Sequence, residues 1–308
     1  LIKILAIIGL VGVGGYMILT HFQAPHGEVV SVSNVWSHGG IFPKGVSGFL
    51  AGFQIAVFAF IGVELIGTTA AETKDPQTNL PKAINAIPLR IILFYVLSLF
   101  IVMSVTPWDH IRADKSPFVE LFLNAGIPIS AIIMNLVVLS SVMSSMNSGV
   151  FSTSRMLFGL SKDGQAPSAL GRLSKRAVPS NGLIFSCIFI MGGAVLQYFV
   201  PNTMEAFTLA SSLCVILFIS VWLLIMACYL RYRKLSPELH AKSTFKMPGG
   251  VLMAYVVIAF FLFTLVILAL EPDTLKAVYV SPLWLVVLSV TYFVFYKPRI
   301  KKLDQELV

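Results

Sequence analysis

The sequence predicts an all-α fold, a polytopic bundle of membrane-crossing helices. Three observations carry this expectation. Of the 308 residues 57% are hydrophobic and only 12% are charged, against roughly 45–50% and about 25% in soluble domains. Mean hydropathy is +0.87. The apolar residues gather into long runs separated by short basic segments. This composition excludes a soluble globular domain, a disordered tail, a collagen and a disulfide-rich secreted domain.

Eight runs can be drawn, at about 1–22, 49–72, 88–107, 128–159, 182–200, 206–230, 250–270 and 278–296. Each matches the roughly 20 residues that a helix needs to cross a bilayer. Backbone groups in lipid must pair within their own segment, so each run reads as helix. A barrel is disfavoured, because these runs are about twice a strand's length and lack period-two alternation.

The first run carries Lys3 in Leu-Ile-Lys-Ile-Leu. Two readings stand: an end residue that snorkels to the interface, or, if helix continues upstream, a buried amine able to carry a proton. The run has no small-residue cleavage site before a soluble domain, so it is not read as a signal peptide. It starts at Leu1 without a Met, as a fragment or a product that lost its N-terminus would.

The second run holds Glu64 near its middle, within Phe58-Ala59-Phe60-Ile61-Gly62-Val63-Glu64-Leu65-Ile66-Gly67. A charged carboxylate at the midplane costs several kcal/mol unless paired, solvated or protonated. Glu64 is therefore either a functional group or a carboxyl bonded to a neighbouring helix. Gly62 beside it makes a break in the helix plausible. A break exposes backbone groups that must line a cavity. The first half-helix, about 49–58, would end with its carbonyls at the midplane, where their partial negative charge suits an ammonium group near Phe58, Ala59 and Phe60. The rings of Phe58 and Phe60 would either gate that ligand or make ordinary lipid and helix contacts.

Between the third and fourth runs, 116–124 places Phe118, Leu121 and Phe122 at helical spacing, as in a short amphipathic helix lying on the outer face. The fourth run is rich in serine, with Ser141, Ser145, Ser148 and Ser152 on one face. That stripe permits close helix approach, or forms a polar wall along a path; both can hold for one helix. The later runs carry Cys187, Cys214 and Cys228, read as small buried packing residues because they show no metal or disulfide spacing.

Charge sets the sidedness. Segments 74–90, 162–176, 231–246 and 297–302 carry sixteen Lys and Arg, while the alternate loops carry only Lys44, Arg112, Lys115 and Lys276. The richer set belongs in the cytoplasm, with the C-terminus. The net charge of +8 thus marks membrane topology rather than nucleic-acid binding. Trp36, Trp108 and Trp284 lie near run boundaries, as interfacial anchors do.

Several motifs resemble the bacterial amino acid permeases of the amino acid/polyamine/organocation superfamily. They are 58–67, Ala70-Ala-Glu-Thr-Lys-Asp-Pro76, Leu80-Pro-Lys-Ala-Ile-Asn85, Arg90-Ile-Ile-Leu-Phe-Tyr95, Pro107-Trp108, Ser145-Met-Asn-Ser148, Ser152-Thr-Ser-Arg-Met156 and Lys162-Asp-Gly-Gln-Ala-Pro167. Within that family, Asn34-Val-Trp-Ser-His-Gly-Gly40, Ser116-Pro-Phe118 and Phe245-Lys-Met-Pro248 look most like the D-serine/D-alanine/glycine permeases. The resemblance covers nearly the whole chain.

It implies a twelve-helix plasma-membrane symporter built on two inverted five-helix repeats, with the first four helices missing here. Residues 1–22 would be the fifth span, 49–230 the second repeat with its broken first helix, 250–296 two C-terminal helices and 297–308 a cytoplasmic tail. The missing first helix would be the Gly-rich broken one that holds the substrate carboxylate. By the same resemblance, Phe58, Ala59, Phe60, Ile61, Gly62 and Glu64 match the substrate-contacting segment, with Phe58 at an aromatic gate. Lys3 resembles a buried lysine that stands in the place of a sodium ion and couples to protons, facing Ser141, Ser144 or Ser145. Transport would be of small neutral amino acids by proton symport, powered by the proton gradient with no cofactor.

Two rivals follow, one of the same class and one of a different class. One is a permease for another zwitterion, such as 4-aminobutyrate or an aromatic amino acid. The other is a polytopic enzyme, which needs clustered catalytic groups near an interface. His21, His26, His38, His110 and His240 fall in loops or helix ends without a paired motif, which disfavours it. A channel would need a continuous polar pore. One broken helix with one midplane carboxyl fits alternating access better.

Overall fold

The computed structural model describes residues 2–24, 29–68, 70–112, 115–199 and 202–297. His26 and the tail beyond 297 lie outside the described residues. From the N-terminus, α1 (Ile2–Leu19) leads into a loop with one antiparallel bridge, Gln23 to Val29, and then α2 (Asn34–Ser37). The interrupted second span is α3 (Gly45–Ala51), α4 (Phe53–Phe58) and α5 (Leu65–Thr68), ending in a 3-10 turn at Ala70–Glu72. A third span joins α6 (Pro76–Asn85), α7 (Ile87–Ile91), a π-helical turn at Ile92–Val96 and α8 (Leu97–Val105). Next come α9 (Pro117–Asn124), α10 (Pro128–Lys162), α11 (Ser180–Phe199), α12 (Thr203–Leu235) and α13 (Pro237–Lys242). The last are α14 (Gly250–Leu270) and α15 (Pro272–Thr291), the latter extended by a π-helical turn at Tyr292–Tyr296.

Among the described residues six helical stretches are long and apolar enough to cross a membrane, and Gly45–Phe58 and Ser180–Val195 are shorter apolar ones. These account for all eight expected runs. Two boundaries need correction. The third span starts at Pro76 rather than 88. Its first turns are polar, so hydropathy does not reveal them, while Pro76 suits a helix start. The last span starts at Pro272 rather than 278, again with a proline in its first turn. Trp284 therefore sits mid-helix, not at a boundary. At 35 residues, α10 outruns the bilayer core, since about 20 residues suffice to span it.

The chain divides into two compact units. The first holds residues 1–49 and 81–148. Its core brings Leu10 and Met17 of α1 against Ile101, Val102 and Val105 of α8 and Leu121 and Phe122 of α9. The amphipathic helix expected at 116–124 is present, but its apolar face is taken up by this core rather than by lipid: Leu121 is 1% exposed. Gly14 lies where α1 meets α8, and a Cβ there would overlap the Ile101 side chain.

The second unit holds residues 50–80 and 149–308. Here α12 is central, in contact with α4, α14 and α15. Val57 of α4, Val215, Ile216 and Ile219 of α12, Leu268 of α14 and Ala277 of α15 form the core. The buried Gln54 side chain donates to the Ser211 hydroxyl at 2.8 Å, which fixes α4 to α12. Cys187, Cys214 and Cys228 are free thiols on exposed helix faces, not the buried packing residues expected. Exposed apolar faces are normal for helices whose solvent is lipid, so small apolar residues need not point inward.

Candidate functional site

The break in the second span falls where glycine and glutamate share a turn. Helix α4 ends at Phe58, and α5 does not begin until Leu65. Through the gap the amides of Phe60, Ile61, Val63 and Leu65 reach back three residues, to Val57, Phe58, Phe60 and Gly62. Gly62 takes φ +105°, a backbone region that favours glycine because it has no Cβ. Its amide donates to both Glu64 carboxylate oxygens, at 3.0 and 3.1 Å. Glu64 is half-buried and closes its own helix break. Of the two readings of Glu64, the bond to a neighbouring helix is not what this carboxyl makes. The reason is local: the two residues separating the carboxylate from this amide allow an Asx-like return of the side chain.

The other residues of this segment separate by environment. Phe58 is half-buried against the α12 core and meets Phe207 edge-on, with ring centroids 5.9 Å apart. Ile61 packs on the same core. Ala59 is half-buried, and Phe60 is 39% exposed. The Phe58 and Phe60 carbonyls accept the amides of Ile61 and Val63 at 3.1 and 3.3 Å.

In the first unit Lys3 of α1 meets α10. It is half-buried, and its Nζ donates to the Ser141 carbonyl at 3.0 Å. The Ser145 hydroxyl donates to that same oxygen at 3.1 Å. Lys3, Ser141 and Ser145 are thus brought together on one backbone acceptor. Ser144 lies exposed, its carbonyl taken by the Ser148 hydroxyl at 3.0 Å. The serine stripe does not act as a single surface. Further along, the buried Ser152 hydroxyl pairs with Thr68 at 3.1 Å, at the end of α5.

That contact belongs to a cluster the sequence did not single out. Arg155 forms an ion pair with Glu72, and its guanidinium sits 3.3 Å from the Phe151 ring centroid. Together with Thr68 and Ser152 it ties the far end of the broken span to the end of α10. The available signal was an Arg inside the Ser-rich run and a Glu in the Ala-Ala-Glu motif. A second cluster lies in the first unit. His38 Nδ1 meets Asp109 Oδ2 at 3.1 Å, the His110 ring is 5.8 Å from that of His38, and Trp108 donates to the His38 carbonyl at 2.8 Å. Desolvation pushes the Asp109 carboxyl up, but the His38 hydrogen bond and the charges of His38 and His110 outweigh it and hold it below the usual range. Asn34 completes this tie by donating to the Ser104 carbonyl at 3.0 Å. Among the described residues no group of three His, Cys, Asp or Glu side chains is arranged to hold a metal.

The helices and the broken span define a polytopic helical membrane protein. The sequence model of the amino acid permease family matches residues 1–305, and the chain belongs to that family. It is 56% identical over 303 residues to the D-serine/D-alanine/glycine transporter of Escherichia coli O6:H1, covering 98% of this chain and 64% of that protein. The transporter of the same name in Escherichia coli K12 is 55% identical with the same coverage. The amino-acid permease AapA of Bacillus subtilis is 47% identical over 292 residues, 95% of this chain and 63% of the relative. The chain thus spans just under two thirds of the length of the curated relatives it matches.

Proposed function

We propose that this chain serves a secondary carrier of small neutral amino acids, of the D-alanine, D-serine and glycine type, driven by proton symport across the plasma membrane. The observation that carries the reading is the break at 59–64, where an otherwise apolar span gives up helix geometry and sets a carboxylate on a backbone amide. The printed names of the relatives support the substrate class. The substrate ammonium would sit on the carbonyls near Phe58, Ala59 and Phe60, with Phe58 as the gate. Lys3 would carry the coupling proton on the Ser141 carbonyl, with Ser145 beside it. Its neutralisation would permit rocking of the bundle between outward- and inward-open states. Residues 49–230 would form the five-helix repeat that moves, and the C-terminus would face the cytoplasm. Family membership argues against an enzyme.

The test is uptake of labelled glycine and D-alanine into vesicles holding the protein at its full coding length. Uptake that is driven by an inward proton gradient and competed by D-serine is the expected result. Uptake indifferent to the gradient overturns symport. Stronger uptake of 4-aminobutyrate or an aromatic amino acid overturns the substrate class.

A further inference from the structure

The broken span and Lys3 leave unused a basic groove at the other end of the second unit. It lies between the end of α12 and the start of α14, holds about 620 Å³, and is lined by Ala227, Leu230, Arg231, Arg233, Lys234, Val251 and Tyr255. The lining has two chemistries. Three cations stand at the end of the long helix, and the rest is apolar apart from one tyrosine hydroxyl. Such a division suits a molecule with an anionic head and a hydrocarbon body.

Among the described residues no carboxylate pairs with Arg231, Arg233 or Lys234. From Tyr229 to Leu270 the sequence holds five Lys and Arg and a single acid, Glu238. The field is felt nearby: desolvation first, then Arg233 and Lys246, push the His240 imidazole below its ordinary range. Local geometry concentrates the charge further. Gly249 and Gly250 both take positive φ, +70° and +53°. A Cβ on Gly250 would lie 2.7 Å from Arg233 Nη1, which places the guanidinium close over the first turn of α14. That turn begins a helix of 21 residues, whose N-terminal end adds partial positive charge. Arg233 is half-buried, whereas Arg231 and Lys234 are exposed.

Beyond the charged rim the surface is apolar. Leu252, Tyr255 and Val256 are 75%, 58% and 52% exposed on α14. In a helix that crosses a bilayer this face meets acyl chains. Basic pockets between helices at a membrane face are suited to anionic headgroups.

We infer that this groove binds an anionic phospholipid, its phosphate held by Arg231, Arg233 and Lys234 and its chains lying along Leu230, Val251 and Tyr255. The inference rests on membrane embedding alone and is independent of which amino acid is carried. A soluble phosphate would satisfy the cations but leave the apolar lining unused, so the lipid is the occupant the groove favours.

The probe is phosphatidylglycerol against phosphatidylcholine, presented in mixed micelles to the purified full-length protein and read by native mass spectrometry. Wild type should retain phosphatidylglycerol with roughly tenfold or greater preference, given the pull of each cation near an anionic headgroup. Arg231→Gln with Arg233→Gln and Lys234→Gln should abolish the preference. Arg172→Gln with Lys175→Gln and Arg176→Gln removes the same charge from another basic loop and should keep it. Equal retention of the two lipids by wild type overturns the proposal without relying on any variant. So does loss of preference in the Arg172, Lys175 and Arg176 control. Full displacement of phosphatidylglycerol by inorganic phosphate at matching concentration assigns the groove to a soluble anion and overturns the lipid.

Discussion

Lys3 donates to a backbone carbonyl, and this decides what its neighbours can contribute. The acceptor, Ser141 O, survives any side-chain change at 141, and the Ser145 hydroxyl is a second donor to it rather than a link in a relay. Lys3→Ala should therefore abolish gradient-driven uptake while leaving exchange of labelled for unlabelled substrate. Ser141→Ala and Ser145→Ala should each keep most of the gradient-driven rate. Undiminished gradient-driven uptake in Lys3→Ala removes the lysine from coupling. Glu64 poses a different question, because it both caps the break and carries a charge. Glu64→Gln keeps one oxygen for the Gly62 amide, and Glu64→Ala keeps none. Leaving a partly buried amide without an acceptor costs about 1–3 kcal/mol. Thermal unfolding in detergent should accordingly drop for the alanine variant and hold for the glutamine variant. If Glu64 also takes part in coupling, glutamine should lose gradient-driven uptake at unchanged stability. Full uptake in that variant confines Glu64 to the cap.

At the level of elements, Gly14 leaves no room for a Cβ where α1 meets Ile101 of α8. Gly14→Ala should destabilise the first unit by about 1–3 kcal/mol, the range for overpacking a filled core. Ile101→Ala should restore part of that loss, because it removes the atoms the new methyl meets. A thermal-shift double-mutant cycle reads the coupling; additive losses would place the strain elsewhere. The same element shows what sequence could and could not reveal. The eight runs were legible because a bilayer demands long apolar segments. The break was legible because Gly62 and Glu64 are both unfavourable inside an apolar helix. Gly14 was not, since glycine in such a helix marks close packing only once its partner is known. Helix α9 shows the same boundary. Its period gave the helix, but whether lipid or Leu10 and Met17 would cover Leu121 and Phe122 depended on a fold of distant segments. The Arg155–Glu72 and His38–Asp109 pairs, 83 and 71 residues apart in sequence, were hidden for that reason too.

For the whole molecule, the uneven distribution of Lys and Arg is an orientation signal, and it can be tested apart from transport. Moving a basic loop across the membrane is opposed during insertion, so the loops at 162–176 and 231–246 should stay inside. The outer tie of Asn34, His38, Trp108 and Asp109, and the exposed Lys276–Glu205 pair at 2.7 Å, would then face outside. With Cys187, Cys214 and Cys228 replaced by serine, single cysteines at Lys115, Lys175 and Lys234 divide the two faces. A membrane-impermeant maleimide added to intact cells should label the cysteine at 115 and spare those at 175 and 234 until the membrane is permeabilised. The reverse pattern overturns the orientation, and labelling of all three in intact cells overturns the span count between them. The outcome also bears on the groove between α12 and α14. Lys234 lines it, so a protected cysteine at 234 puts that groove, and any phospholipid it holds, in the inner leaflet. There the basic loop has a second reason to stay: the anionic headgroup that neutralises it lies on the side where insertion left it.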